Sequence, residues 1–141
     1  SVLLYCRYGK RPPAACVACM PPCDSFYAYD ERPDLPRSYH AAFAGYPEPW
    51  DQIMREHSPL SQVDKMPRIP YFFMHGDQDK VVALSQSEFF SQALKDVGVE
   101  STLVVVKGAG HSGPAFRSPE NMKQIEEFFA RHLAGQKSTH Q

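Results

Sequence analysis

An aspartate and a histidine stand in two glycine-containing loops of this 141-residue chain, each after a short apolar run. Asp79 follows the run that ends at Met74, and His111 follows the run that ends at Val106. A carboxylate that orients an imidazole, which then takes a proton from a nucleophile, supplies two of the three groups of a nucleophilic triad. The two residues therefore predict acyl-transfer chemistry, provided that the fold brings them together.

The segment around the two loops predicts how they are positioned. Tyr71–Met74 and Leu103–Val106 have the apolar composition of strands. Between them, an apolar stripe predicts a helix that begins at a capping box of Ser85 and Glu88 and ends at Gly98. Strand, helix and strand in this order predict adjacent parallel strands whose carboxyl ends share one edge of a sheet, where α/β domains build their sites.

The flanking segments extend the same pattern. Residues 1–8 predict the end of a helix closed by Gly9, and Ala14–Met20 predicts a buried strand. Ser118, followed by a proline, predicts the N-cap of a last helix. The valines of the strand before His111 predict a strand covered on both faces. Together these elements predict an α/β fold with about three parallel strands and flanking helices.

A segment rich in proline and aromatic residues separates the first two predicted strands. It runs from residue 23 to residue 58, with short helices predicted at Pro36–Ala44 and Pro49–His57. Such a segment is typical of a lid over a site, although packing of its aromatic residues onto the sheet is an equally good interpretation. Three of its aromatic residues are candidates to line an acyl or alcohol pocket: Tyr27, Tyr29 and Trp50.

The composition argues against several classes of partner. The net charge is −1 and no cluster of lysine and arginine is present, which argues against binding to nucleic acid or to an anionic membrane. No apolar run approaches the roughly 18 residues that a membrane-spanning helix needs.

Four cysteines occur within the first 25 residues. Cys16 and Cys19 have the spacing of a zinc knuckle, but along a strand an odd offset sends two side chains to opposite faces. We therefore expect buried thiols at Cys6, Cys16, Cys19 and Cys23, with neither a metal nor a cofactor. Reduced thiols fit a reducing, cytoplasmic compartment weakly.

Five short motifs carry a resemblance to a known family. In their order and spacing they resemble the C-terminal half of an α/β-hydrolase, in the branch of acetyl-esterases/lipases and prolyl-oligopeptidase-related enzymes. The resemblance covers residues 58–133 and extends more weakly back to residue 14. The motifs are Ser58-Pro-Leu60, His75–Val82, Gln86-Ser87, Leu94–Gly98 and Gly108–His111. The chain is thus expected to be one partial domain, with a helix tail and strand in 1–22, the lid-like insertion in 23–58, the acid and base in 59–135 and a tail in 136–141.

The resemblance implies roles for several residues. The acid of the family falls on Asp79, the third residue after the motif glycine, rather than on Asp77, which we expect to brace the turn through local hydrogen bonds. The general base falls on His111, whereas His75 ends the strand and is expected to be a structural hydrogen-bonding residue.

The nucleophile is the group that the sequence lacks. The G-x-S-x-G turn that exposes a nucleophilic serine occurs nowhere in the chain, and neither Ser87 nor Ser112 lies in such a turn. The resemblance implies that the serine and the oxyanion-hole amides precede Ser1. We therefore predict part of a serine hydrolase that acts on carboxylic esters, and we expect the isolated chain to be inactive.

Three alternatives stay open beside this prediction. They are a serine peptidase or amidase of the same fold, a non-catalytic interaction module, and a cysteine hydrolase using Cys6 or Cys23, which is disfavoured because neither cysteine lies in an elbow turn. The expected partners are a small ester in the complete enzyme, and either the missing N-terminal half or a second copy bound to the exposed edge of Ala14–Met20.

Overall fold

A computed structural model describes residues 2–25, 45 and 49–134 of the chain. These residues form a parallel sheet of three strands in the order β1-β2-β3: β1 (Cys16–Cys19), β2 (Tyr71–Gly76) and β3 (Ser101–Val106). Tyr71 pairs with Cys16 on one side and with Ser101 on the other. The predicted parallel, adjacent strands are therefore confirmed.

The helices flank this sheet in chain order. They are α1 (Val2–Tyr8), α2 (Trp50–Glu56), α3 (Leu84–Asp96) and α4 (Pro119–Leu133), with 3-10 turns at Leu60–Lys65 and Pro114–Arg117 that the sequence did not predict. The predicted helix at Pro36–Ala44 lies outside the described residues. The N-cap predicted for the last helix is confirmed, because the Ser118 hydroxyl accepts a hydrogen bond from the Asn121 N–H at 3.3 Å.

Within the part of the chain described, no helix has the length and apolar character needed to cross a membrane.

The central strand β2 is buried on both faces by aromatic packing. Successive side chains of a strand point to opposite faces, so Tyr71 and Phe73 contact Phe90 of α3, with ring centroids 6.4 and 5.6 Å apart. Phe72 points the other way and packs on Phe128 of α4, with centroids 5.4 Å apart. Helices on both faces thus fix β2 in place, and β2 leads directly into the loop that contains Asp79.

Strand β3 is less covered than its sequence predicts. Its ends, Ser101 and Val106, are buried, but Thr102 is exposed and Val105 is 40% exposed. Among the described strands β3 lies at an edge of the sheet. The prediction of a strand covered on both faces is therefore wrong, because β-branched residues also suit a half-buried pleated surface.

Helix α3 begins two residues earlier than predicted and ends where predicted. Its N-cap is Ala83, which makes no side-chain capping bond, so Ser85 lies inside the first turn and the predicted capping box is wrong. At the other end Gly98 adopts the left-handed conformation with φ +75°. The Val99 N–H donates to the Leu94 carbonyl at 2.9 Å, which completes a Schellman motif.

The two ends of the insertion at 23–58 are bound to the sheet domain. The buried Gln86 side chain of α3 accepts hydrogen bonds from the N–H groups of Cys23 at 2.8 Å and Asp24 at 2.7 Å. The buried Ser58 hydroxyl accepts from the Ser25 N–H at 2.8 Å. Gln86 and Ser58, two of the motif residues, therefore hold the base of the insertion; its function as a lid stays a prediction.

The four cysteines are free thiols. Cys6, Cys16 and Cys23 are buried, whereas Cys19 is exposed. Cys16 and Cys19 thus differ in burial, as expected for side chains on opposite faces of β1. The expectation of a buried thiol is wrong for Cys19 alone, because the face of β1 on which its side chain lies is open at that position.

Replacing Gln86 by alanine should destabilise the protein through unsatisfied backbone groups. The substitution leaves two N–H groups, those of Cys23 and Asp24, without their acceptor, and each orphaned buried donor costs about 1–3 kcal/mol. We expect the free energy of unfolding to fall by at least about 2 kcal/mol, as measured by urea denaturation followed by circular dichroism. Gln92→Ala, which removes an exposed glutamine from the same helix, is the control and should cost less than about 0.5 kcal/mol. Equal losses in the two variants would contradict this assignment.

Candidate active site

The Asp79 carboxylate is the centre of the turn that follows β2. Its side chain is fully buried. One oxygen, Oδ1, accepts hydrogen bonds from the N–H groups of Val81 at 2.8 Å and Val82 at 2.9 Å. Those two bonds fix the plane of the carboxylate and leave Oδ2 for side-chain donors.

The predicted contact between the side chains of Asp79 and His111 is confirmed by a direct hydrogen bond. The His111 Nδ1 atom lies 2.9 Å from Asp79 Oδ2, and the imidazole side chain is 40% exposed. Because an ionised carboxylate only accepts hydrogen bonds, Nδ1 carries the proton and donates it. The other ring nitrogen, Nε2, is then the basic atom, which is the tautomer that a general base requires.

Several interactions hold Asp79 in its charged form. Burial raises the pKa of its carboxyl, but the hydrogen bonds from the Val82 N–H, from His111 and from the Val81 N–H lower the pKa by more in total. The pKa of Asp79 is therefore below its usual value, and the carboxylate stays negative where an imidazolium would need it.

A glycine lets the two loops approach each other. A Cβ atom built on Gly76 would lie 2.2 Å from the Ala109 carbonyl oxygen and 2.5 Å from that of Gly110. The Gln78 N–H donates to the same Ala109 oxygen at 2.9 Å. The motif glycine is therefore required for contact between backbones, and the acid turn and the histidine loop pack directly on each other.

Asp77 braces the site across the two loops. Its Oδ1 atom accepts a hydrogen bond at 2.7 Å from the N–H of Gly108, which has φ +72°. We predicted a brace formed by local hydrogen bonds; the brace instead joins the acid turn to the histidine loop. Asp77 thus fixes the relative positions of the loops, whereas Asp79 makes the contact with the base.

A second histidine reaches the acid from inside the domain. The fully buried His75 has its Nε2 atom 2.9 Å from the Val82 carbonyl oxygen and 3.2 Å from Asp79 Oδ2, and its Nδ1 atom 2.7 Å from Ser87 Oγ. Its expected structural hydrogen bonding is present, but the contact with the acid was missed. The only signal in the sequence was that His75 and Ser87 both belong to motifs of the resemblance.

A shallow cavity lies beside the histidine loop. Its volume is about 190 Å³, and its lining residues are Met20, Ser112, Gly113, Phe116 and Arg117. Met20 follows β1 directly and has φ +50°, a conformation that is rare and strained for a side chain of its size. Sequence reasoning missed this cavity, although the position of Met20 at the carboxyl end of a strand was a usable signal.

The predicted pocket residues are not brought to this cavity. Tyr27 and Tyr29 lie outside the described residues. Trp50 begins α2, which packs against the 3-10 turn Leu60–Lys65, and the cavity beside His111 is lined by other side chains. A role in substrate binding for these three aromatic residues stays a prediction.

Ser87, Cys23 and Cys6 are poorly placed to act as the nucleophile. Ser87 is fully buried and bonded to His75. Burial raises the pKa of the Cys23 thiol, and Cys6 is packed with Cys16 at the amino-terminal end of β1, opposite the edge that carries His111.

In the described residues no group of three or more side chains from His, Cys, Asp and Glu is arranged to hold a metal ion.

Comparison with known proteins identifies the family. Residues 13–136 match the model of the prolyl oligopeptidase family. The chain belongs to this family. Its members are serine hydrolases with the α/β-hydrolase fold, which confirms the superfamily and the fold class predicted from the sequence.

The solved and curated relatives of the chain are longer proteins. It superposes on an acylaminoacyl peptidase from Pyrococcus horikoshii with a TM-score of 0.73 and 20% identity, covering 98% of this chain and 23% of that one. It superposes on a truncated carbohydrate esterase from gut microbiota with a TM-score of 0.68 and 21% identity, over 87% of this chain and 44% of the esterase. A non-reducing polyketide synthase from Emericella nidulans is 30% identical over 95 residues, which are 63% of this chain and 4% of the synthase. The chain therefore spans less than half the length of each of these relatives.

Gly76→Ala should separate the acid turn from the histidine loop. The added methyl group would overlap two carbonyl oxygens of the backbone, which cannot move without breaking the hydrogen bond between Gln78 and Ala109. We expect a loss of about 1–3 kcal/mol in the free energy of unfolding. Gly110→Ala is the matched control, because its Cβ would meet nothing nearer than the Gln78 oxygen at 3.9 Å. Equal stability of both variants in urea denaturation would show that the loops are not in contact.

The lowered pKa of Asp79 predicts a loss of stability at acid pH. A depressed folded pKa means that the charged carboxylate stabilises the fold above the unfolded value, near 3.8, and that this contribution disappears as the pH falls through the folded pKa. The urea midpoint of the wild type should therefore fall more than that of Asp79→Asn between pH 7 and pH 2. Asp64→Asn, which removes an exposed carboxylate, controls for the change in net charge. Parallel midpoint curves for wild type and Asp79→Asn would rule the mechanism out.

Proposed function

We propose that this chain supplies the acid and the base of a serine hydrolase that cleaves carboxylic esters. The observation that carries the proposal is the hydrogen bond between His111 Nδ1 and Asp79 Oδ2, formed at the carboxyl ends of two parallel strands. It leaves Nε2 of a partly exposed imidazole as a base. Membership of the prolyl oligopeptidase family supports the assignment.

The proposed reaction is acyl transfer in two steps. His111 Nε2 removes the proton from a serine hydroxyl as the serine oxygen attacks the acyl carbon, and the imidazolium then gives that proton to the departing alkoxide. A water molecule, activated by the same nitrogen, releases the acid from the serine. Throughout, the Asp79 carboxylate keeps the Nδ1 proton in place and stabilises the transient positive charge.

The proposed nucleophile lies outside these 141 residues. Because the sequence has no G-x-S-x-G turn, we propose that the serine and the oxyanion-hole amides are supplied by another segment of a longer polypeptide or by another chain. The cavity beside His111, lined by Met20 and Phe116, is the candidate binding site for the acyl or alcohol group.

The outer edge of β1 is the proposed attachment site for that segment. β1 pairs with β2 along one edge, and at its end the Cys19 side chain is exposed. An apolar strand edge favours strand addition. We propose that the nucleophile-bearing segment adds there, with a second copy of this chain as the other occupant; sedimentation that finds neither a complex nor a dimer at high concentration would contradict this.

Cleavage of an amide bond is the second candidate. The acid and base serve ester and amide substrates alike, and a peptidase and an esterase are both among the solved structures with this fold. A third candidate is release of an acyl product within a polyketide synthase, which is favoured by the curated matches to several such synthases. A non-catalytic interaction module would keep the fold without any of these activities.

Reconstitution tests the proposal directly. The chain is mixed or co-expressed with a segment that carries the nucleophilic serine, and hydrolysis of p-nitrophenyl acetate is followed; the lone chain should be inactive. His111→Ala should lower the recovered activity by about 10³-fold or more, because the base is removed. His57→Gln, which changes the histidine at the C-cap of α2 that is bonded to a backbone carbonyl, is the control and should keep full activity.

Three outcomes separate the candidate functions. Turnover of p-nitrophenyl esters but not of peptide p-nitroanilides supports the ester assignment, and the reverse supports a peptidase. Assembly into a stable complex without hydrolysis of either substrate, and without labelling by a fluorophosphonate, would favour an interaction module and overturn the proposal.

A further inference from the structure

Four buried or partly buried side chains form one continuous chain of polar contacts. It runs from Ser87 on α3 through His75 and Asp79 to His111, with contacts of 2.7 Å, 3.2 Å and 2.9 Å. Ser87 and His75 are fully buried. The proposed reaction uses only Asp79 and His111, so the inner two residues need a separate explanation.

The acceptors around His75 determine where its proton lies. The Val82 carbonyl oxygen, 2.9 Å from Nε2, can only accept a hydrogen bond, so Nε2 carries a proton and donates it. The same nitrogen lies 3.2 Å from Asp79 Oδ2, a close polar contact beside that hydrogen bond. In the neutral ring Nδ1 has a lone pair, and the Ser87 hydroxyl at 2.7 Å donates to it.

The Ser87 hydroxyl therefore selects a tautomer of His75. If the proton moved to Nδ1, Nε2 would face two acceptor oxygens, the carbonyl of Val82 and Oδ2 of Asp79, with nothing to donate. A buried acceptor facing other acceptors is costly. The donor at Ser87 thus keeps the proton on Nε2, where it bonds the Val82 carbonyl and lies beside the carboxylate.

We propose that His75, held by Ser87, is a positioning residue that fixes the Asp79 carboxylate for its bond to His111. The inference rests on the proposed function, since it assigns His75 a part in orienting the base. With His75 in place, Oδ2 accepts the His111 N–H and lies 3.2 Å from His75 Nε2, and Oδ1 accepts two backbone N–H groups. Three hydrogen bonds and this contact restrict the orientation of the carboxylate, and that orientation presents Oδ2 to the Nδ1 proton of His111.

Helix α3 contains a matched pair of serines with which to test this. Ser87 and Ser91 are both buried, four residues apart on one face, and each makes a 2.7 Å side-chain hydrogen bond, Ser87 to His75 and Ser91 to Ser101. Ser91→Ala therefore removes a comparable buried bond without touching the chain that leads to Asp79. Both alanine variants should lower the urea midpoint to a similar extent.

The decisive readout is the state of His111, measured in the unmodified chain and its variants by ¹⁵N-resolved NMR of the imidazole. In the wild type the Nδ1–H tautomer should dominate, with slow exchange of that proton with water. Ser87→Ala should raise the exchange rate several-fold and lower the tautomer fraction, and Ser91→Ala should leave both unchanged. His75→Phe, a second variant that removes the inner N–H entirely, should have the larger effect.

The outcomes separate this inference from the proposed function. A wild type without a dominant Nδ1–H tautomer at His111 would overturn both. A wild type with that tautomer, together with Ser87→Ala and His75→Phe variants that leave it unchanged, would overturn only the role of His75. In the reconstituted enzyme Ser87→Ala should lower kcat with KM unchanged, and a normal kcat would likewise reject the inference.

Discussion

The burial of one negative charge is the constraint on which the rest of the site depends. Removing an unpaired carboxylate from water would cost more free energy than a small domain can spare. Asp79 avoids that cost because three hydrogen bonds reach it, from the N–H groups of Val81 and Val82 and from His111, and the His75 imidazole contacts it at 3.2 Å. Each of these groups also restricts the orientation of the carboxylate. The contacts that compensate the buried charge therefore also orient the His111 imidazole.

Backbone contacts, rather than side chains alone, set the distance between acid and base. The parallel register ends both strands at one edge, with Gly76 opposite Val106, and the missing side chain of Gly76 lets the histidine loop rest on the acid turn. The first turn of helix α3 binds two separate regions of the domain. Gln86 binds the base of the insertion, and the next residue, Ser87, binds His75. Adjacent helical positions point about 100° apart, so one turn can reach both.

The sequence predicted the parts of this site that follow from periodicity and missed those that follow from three-dimensional proximity. Apolar strands around a helical stripe sufficed to place Asp79 and His111 together, because parallel connections leave few topologies. The contact of His75 with Asp79 was not predictable, since it depends on how a buried ring is turned between Val82 and Ser87. Nor was the left-handed Met20, whose residue type disfavours that conformation.

The acid–base pair is assembled entirely within one strand–helix–strand unit. Every hydrogen bond to Asp79, and the bond from Ser87 to His75, arises between residues 75 and 111. No group from the segment that would supply the serine is needed to orient the imidazole. In the proposed enzyme the pair of Asp79 and His111 is therefore preorganised before the nucleophile binds, and a serine-bearing segment has only to place one oxygen within hydrogen-bonding reach of Nε2. A site whose groups come from two segments can thus still be precise, because the most demanding part of its geometry, the placement of Asp79 against His111, is set by local contacts.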